Sequence, residues 1–195
     1  MFWKSAGFPL GPWKKPGSVA KATKFRTTPS YNGGMLTIRN ATADDLPLIL
    51  QFICELAEYE KAPEQVVATP EDLARECFSP NARFRVLIAE WDGQAAGFAF
   101  FFYHFSTWLG RPTLYLEDLF VRPAFRGKGI GKALLARLAS LAVEEGCARF
   151  EWQVLDWNES AIKFYESLGA KALKEWITMR LTGDALKKLA VAAKP

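Results

Sequence analysis

The run LYLEDLFVRPAFRGKGIGKALLARLASLAVEEG, residues 114–146, limits what this chain can fold into more than any other stretch. It opens with strand-like residues and closes with a helical pattern. Between them Gly127, Gly129 and Gly131 alternate with Lys128 and Ile130. A helix that starts directly from a strand leaves its first N–H groups without acceptors and carries partial positive charge there, which suits a phosphate. Glycines remove Cβ atoms and let the backbone close around an anion. Arg126, Lys128 and Lys132 add positive charge at the same place.

Spacing excludes two familiar phosphate loops. A P-loop needs G-x-x-x-x-G-K-[ST], but Arg126 stands where its first glycine belongs and Ala133 follows Lys132. The dinucleotide fingerprint needs G-x-G-x-x-G after a first strand. Here the spacing is G-x-G-x-G, after what reads as the fourth strand. What remains is R-x-x-G-x-G, from Arg126 through Gly129 to Gly131. A tight strand-to-helix turn with no ligand stands beside the phosphate reading at this point.

From Met35 onward the elements alternate. MLTIRNA reads as a strand. Thr42 and Asp45 form a capping box, and Leu46, Ile49, Leu50, Ile53 and Ala57 line one helical face. A second short helix follows Thr69-Pro70. FRVLIAEWDGQAAGFAFFFYHF predicts a hairpin turning at Asp92-Gly93. TLYLEDLFV is a strand, and a helix runs from about Gly129 to Glu145, ended by Gly146. ARFEWQVL is a strand, NESAIKFYESLG a short helix, LKEWITMRL a strand, and Asp184 to Ala190 a final helix. No internal repeats occur.

The formal net charge of +4 belongs to the first 34 residues. That segment holds Lys4, Lys14, Lys15, Lys21, Lys24 and Arg26 and no acid. Without those six, 19 basic residues face 21 acidic ones, a balance near −2. The basicity is therefore no argument for a nucleic-acid groove. Residues 1–34 are read as a disordered basic extension and residues 35–195 as one domain. Met35 is a candidate true start, and an upstream extension is favoured over a targeting signal. The longest apolar run, Ala95 to Phe102, is too short to span a bilayer, so no membrane role is expected. Cys54, Cys77 and Cys147 have no metal or redox spacing. They read as reduced thiols, packed as small apolar side chains, in a reducing and hence cytoplasmic setting.

The segments YLEDLFVRPAFRGKGIGKALL and WNESAIKFYESLGA, in that order with a strand between them, resemble the GNAT superfamily of acetyl-CoA-dependent N-acetyltransferases. With TIRNATADDLPLILQFICELAEYEKAPEQV, they resemble its spermidine/spermine (diamine) and thialysine acetyltransferase branch, over about residues 35–190. The resemblance implies an α/β GNAT fold: a mixed, mostly antiparallel, twisted sheet of about six or seven strands flanked by helices. It implies acetyl-CoA as co-substrate, no metal, a small cationic amine as acceptor and a homodimer. The final strand, EWITMRL, is consistent with a dimer-forming C-terminal region.

The same resemblance distributes roles. Arg126, Gly127, Lys128, Gly129, Ile130, Gly131 and Lys132 would cradle the coenzyme A pyrophosphate. The strand before them would splay, so that the N–H groups of Leu119, Phe120 and Val121 meet the acetyl group and pantetheine. Asn158, Ser160 and Tyr165 would border the pantetheine and thioester. Tyr59, Glu60, Glu117, Glu151, Trp152 and Gln153 would contact the acceptor.

The chemistry is attack of an amine on a thioester. A lysine-type amine, with a pKa of about 10.4, must lose a proton first, and the departing thiolate gains from a proton donor. Tyr165 is the candidate acid. Seven residues separate it from Asn158, two helical turns and about 10 Å along one face. A Tyr packed beside Phe164 is the plainer alternative. Glu117 is the candidate that engages the amine. Strand alternation puts Tyr115, Glu117 and Leu119 on one side and Leu116, Asp118 and Phe120 on the other. An ion pair of Glu117 with Arg126 or another base is the alternative, as is deprotonation by a water chain. Acids beside aromatics at Tyr59, Glu60, Glu151 and Trp152 suit a cationic amine. His104, the one histidine, matches no family motif and is read as a bystander. Two rivals remain: a peptide or protein N-acetyltransferase on the same fold, and a coenzyme A-binding regulatory module.

Overall fold

The computed structural model describes residues 24–26, as backbone, and residues 34–192. The chain divides into two compact units with the boundary after Gln153. The first unit is built on six strands. These are β1 (Lys24–Arg26), β2 (Leu36–Asn40), β3 (Phe84–Trp91), β4 (Gln94–Ser106), β5 (Arg111–Val121) and β6 (Arg149–Trp152). They lie side by side in chain order. The first five pair antiparallel, and β5 pairs with β6 in parallel across α3 (Ile130–Glu144). The sheet is therefore mixed and mostly antiparallel. Three residues of the N-terminal extension join it as an edge strand on β2. The rest of the extension lies outside the described residues.

Two helices precede β3: α1 (Leu46–Tyr59) and α2 (Pro70–Phe78). Each starts at a Thr-x-x-Asp box. The Thr69 amide donates to Asp72 Oδ2 at 3.1 Å and the Asp72 amide to Thr69 Oγ1 at 3.2 Å. At Thr42 the amide donates to Asp45 Oδ2 at 2.7 Å, and Arg39 from β2 clasps Asp45 with both terminal nitrogens, at 2.7 and 2.8 Å. That guanidinium holds the Asp45 carboxyl below its ordinary range. One carboxylate thus closes the 3-10 turn Ala43–Asp45 that leads into α1 and ties it to the sheet.

Residues paired across antiparallel strands point to the same face. Val86, Ile88, Phe98, Phe100 and Phe120 meet Ile49, Phe52, Leu73 and Cys77 in one cluster, so α1 and α2 cover this face. Phe52 stacks on Phe98 with ring centroids 5.2 Å apart. Leu87, Ala89, Ala99, Phe101, Leu114 and Leu116 are buried on the opposite face, which α3 covers. Arg85 reaches from β3 to Glu145 just past the end of α3 at 2.7 Å. The β3–β4 hairpin turns at Asp92-Gly93, both with positive φ (50° and 77°), the backbone that a tight two-residue turn requires.

The second unit contains α4 (Glu159–Ser167) and α5 (Gly183–Val191). The strand expected over 173–181 does not form: those residues carry no ladder partner and no regular structure among the described residues. A strand exists only when a neighbour completes its hydrogen bonds.

Gly97 on β4 sits opposite Val121, where β5 ends. A Cβ there would meet the Phe120 carbonyl oxygen at 2.4 Å, a backbone atom that cannot rotate away. Gly97→Ala is expected to cost about 1–3 kcal/mol, the usual penalty for overpacking. A lowered midpoint in thermal or urea unfolding checks it; an unchanged midpoint would show that the two strands are free to separate here.

Candidate active site

The β4–β5 ladder changes register in its middle. Phe100 pairs with Asp118, and the next residue, Phe101, pairs with Leu116. Glu117 is the extra residue of a β-bulge. Below the bulge Tyr115 shares the α1/α2 face with its partner Phe102. Above it Asp118 shares that same face with Phe100. This corrects the simple alternation: Asp118 lies on the side of Tyr115, and Leu116 and Leu119 lie on the α3 side. Glu117 itself is exposed at the kink and forms no ion pair among the described residues. On the other edge of β5, pairing with β6 stops at Leu116–Trp152. From Glu117 to Val121, the stretch that includes Leu119, Phe120 and Val121, that edge has no ladder partner among the described residues.

The bulge gathers carboxylates. Asp118 is half-buried, and its carboxyl is pushed up to about 7, first by desolvation and then by the charges of Glu117 and Glu60. Burial also raises Glu60, just past the end of α1. Desolvation, with Glu117 and Glu151 nearby, raises the Tyr115 phenol. Glu60, Asp118 and Glu117 therefore form one acidic corner, lined by aromatic rings: Phe102 lies 5.1 Å from Tyr115 and 5.3 Å from Phe84. Asp118 was not among the site residues inferred from sequence. The Glu-Asp doublet was visible, but alternation sent its second member to the wrong face.

The glycine turn has the backbone its sequence demands. Gly127 and Gly129 take φ of 76° and 79°, and Gly129 immediately precedes α3. Ala133 donates to the Gly129 carbonyl at 3.0 Å, so the amides before it in the first turn are the ones left for an external acceptor. A Cβ at Gly131 would meet the Val121 side chain only in ordinary contact, at 3.9 Å. The cations beside the turn have aromatic partners. The Arg126 guanidinium stacks 4.7 Å from the Tyr59 ring centre and donates to the Val121 carbonyl at 3.0 Å. Lys128 Nζ lies 4.8 Å from the Trp91 ring. Arg126 thus joins Tyr59, at the end of α1, to the turn, and Glu117 does not pair with it.

On β6, Glu151 lies beside Tyr115 in the parallel ladder. Its two oxygens meet His104 Nε2 at 3.5 Å and an Arg149 terminal nitrogen at 3.3 Å. Trp152 packs against Phe150, with centroids 4.9 Å apart. Gln153 closes the first unit. In the second unit Asn158 is the N-cap of α4, and its Oδ1 accepts from the Ala161 amide at 3.2 Å and from Ser160 Oγ at 3.1 Å. Its carbonyl accepts the first bond of the helix, from the Ile162 amide at 3.0 Å. Tyr165 lies in the last turn, its ring 5.4 Å from Phe164. Among the described residues no cluster of three or more His, Cys, Asp or Glu side chains could hold a metal ion, and no helix is long and apolar enough to cross a membrane.

A sheet opened by a bulge beside a glycine-started helix is the arrangement of a known family, and residues 50–170 match the acetyltransferase (GNAT) family. The chain belongs to the GNAT acetyltransferases. It is 40% identical over 164 residues to the thialysine N-epsilon-acetyltransferase of Sus scrofa, across 78% of this chain and 96% of that protein. It is 33% identical over 208 residues to the L-ornithine N5-acetyltransferase of Arabidopsis thaliana, across 84% and 91%. An integron cassette protein from the mobile metagenome of V. cholerae superposes with a TM-score of 0.68 at 31% identity, over 80% of this chain and 97% of that one. This GNAT chain is an acetyltransferase, and acetyl-CoA is the co-substrate of such enzymes.

Asp118 supplies a test of the acidic corner. Its folded-state pKa lies above the unfolded value near 3.9, so the folded state holds the proton more tightly. Stability is then highest below pH 4 for this group and falls as pH rises toward 7. The full span is on the order of 4 kcal/mol. Asp118→Asn is expected to remove this decline and to stabilise the protein more at pH 8 than at pH 5. Equal effects at both pH values in chemical denaturation would mean that Asp118 titrates normally.

Proposed function

We propose that this enzyme transfers acetyl from acetyl-CoA to a primary amine of a small cationic substrate, of the polyamine, diamine or thialysine/lysine-like kind, by direct attack in a ternary complex. The observation that carries the reading is the acidic corner of Glu60, Asp118 and Glu117 beside the Tyr115 and Phe102 rings. Carboxylates gathered beside ring faces favour a cation over a neutral or acidic acceptor. The names of the two relatives, acting on thialysine and on ornithine, support the same class.

In this reading the amides and glycines from Gly127 to Lys132 hold the pyrophosphate at the start of α3. The unpaired edge of β5 from Leu119 to Val121 takes the pantetheine and the acetyl oxygen, where fixed N–H donors stabilise the tetrahedral intermediate. Asn158 and Ser160 border the pantetheine arm. Glu117, outside any ion pair, accepts the proton of the ammonium directly or through water. The freed amine attacks the thioester carbonyl, the carbon–sulfur bond breaks, and Tyr165 gives its proton to the thiolate. Tyr59, Glu60, Glu151, Trp152 and Gln153 hold the acceptor. A homodimer in the cytoplasm completes the reading, on the strength of the family branch, with residues 1–34 as an extension to one domain.

Thiol release from acetyl-CoA, measured with spermidine, spermine, putrescine, thialysine, lysine, ornithine and a basic peptide, tests this. Release with one or more small amines and not with the peptide is expected. Release with the peptide alone would move the acceptor class to proteins, and none with any amine would leave a coenzyme A-binding module. Tyr165→Phe and Glu117→Gln are each expected to lower kcat by about 10²-fold or more. Unchanged kcat in either would overturn that residue's role.

A further inference from the structure

The acceptor strip is polar from end to end. At one end stand Glu60, Asp118 and Glu117, with the charges of Glu117 and Glu60 adding to the burial of Asp118. At the other end, four residues back along β5, stands Thr113, flanked by His104 on β4 and Arg149 on β6. At about 3.3 Å per residue the ends are some 13 Å apart. All three residues point to the same face as Tyr115. His104 and Arg149 approach the two oxygens of Glu151 from opposite sides, at 3.5 and 3.3 Å, and the His104 ring lies 6.0 Å from that of Tyr115.

Two polar atoms in this far corner have no partner. Thr113 is fully buried, and its Oγ1 makes no hydrogen bond; Arg149 Nε is buried and unsatisfied too. Such groups are costly to bury and are found where a ligand or water completes them. One acid against one arginine, with a histidine alongside, makes this corner neutral to cationic. A polyamine carries only positive groups and gains nothing from such a corner. An acceptor with a carboxylate at the end remote from its reacting amine has the matching polarity.

Building on the proposed amine acceptor site, we infer that His104, Arg149 and Thr113 form a carboxylate subsite that selects diamino acids, with Glu151 receiving their α-ammonium group. The Arg149 guanidinium presents donors in a fixed fork suited to a carboxylate. His104 and the Thr113 hydroxyl add further donors. The side-chain amine of the same acceptor then extends along Tyr115 toward Glu117. His104 is in this way a specificity residue and not a bystander.

Matched acceptor pairs that differ only in the carboxylate isolate this corner: ornithine against putrescine, and lysine against cadaverine. The ratio of kcat/KM for ornithine to that for putrescine is expected to exceed one in the unchanged protein. It should fall about tenfold or more in Arg149→Gln, the loss of one charge-assisted hydrogen bond, chiefly through KM for ornithine. His104→Ala should move the ratio the same way by less, and Arg149→Lys should restore part of it. Thermal melting of each variant separates loss of the subsite from loss of the fold. A ratio at or below one in the unchanged protein, or a ratio that neither substitution moves, overturns the subsite. Calorimetric titration of ornithine and putrescine into the coenzyme A-loaded protein keeps the two readings apart. Arg149-dependent preference for ornithine without turnover would sustain the subsite and sink the acceptor chemistry. Turnover of both amines with no preference would do the reverse.

Discussion

One extra residue in β5 sets the rest of the site. A β-ladder forces successive side chains to opposite faces and keeps both edges of a central strand paired. The bulge at Glu117 breaks both rules at one point. It turns Asp118 onto the face already occupied by Tyr115, and it coincides with the end of pairing to β6. Carboxylates and free backbone groups, which a regular strand would keep apart, come to lie within one short stretch. The cost of that irregularity is borne by the tight contacts around it, where Gly97 lets β4 approach the Phe120 carbonyl and Phe52 stacks on Phe98 beneath.

The electrostatics follow from that geometry. Burial raises Asp118 first, and the charges of Glu117 and Glu60 push it further in the same direction, to about 7. A carboxyl poised near neutrality changes its charge easily when a cation arrives. The acidic corner is therefore an attractive but unfilled place for an ammonium group, while the opposite corner, with Arg149 against Glu151, is already balanced. The proposed amine recognition draws on that gradient more than on any single ion pair.

Much of this was legible in the residues. Asp92-Gly93 announced the hairpin, the Thr-x-x-Asp boxes announced α1 and α2, and the glycines between Arg126 and Lys132 announced the strand-to-helix turn. What escaped depended on partners far away in the chain. The bulge is visible only when β5 is counted against β4, so YLEDLFV by itself reads as plain alternation. The ring contacts of Arg126 with Tyr59 and of Lys128 with Trp91 likewise join elements far apart in the chain. LKEWITMRL has the composition of a strand and lacks a neighbour to pair with. Asn158 falls on the helical period of Tyr165 but stands one residue outside the helix, where its side chain turns back as a cap.

Arg122 deserves a last consideration. It follows β5 directly, and it holds Glu55 of α1 with two nitrogens, at 2.7 and 2.8 Å, while donating to the Ala95 carbonyl at 2.9 Å and lying 4.6 Å over the Phe52 ring. The end of β5, the middle of α1 and the start of β4 are thereby fastened at one point. The loss of freedom needed to bring the glycine turn and the Tyr59–Glu60 corner together is incurred when the chain folds. Ligands that arrive later meet a surface already in register, and little of their binding energy is diverted into ordering the protein.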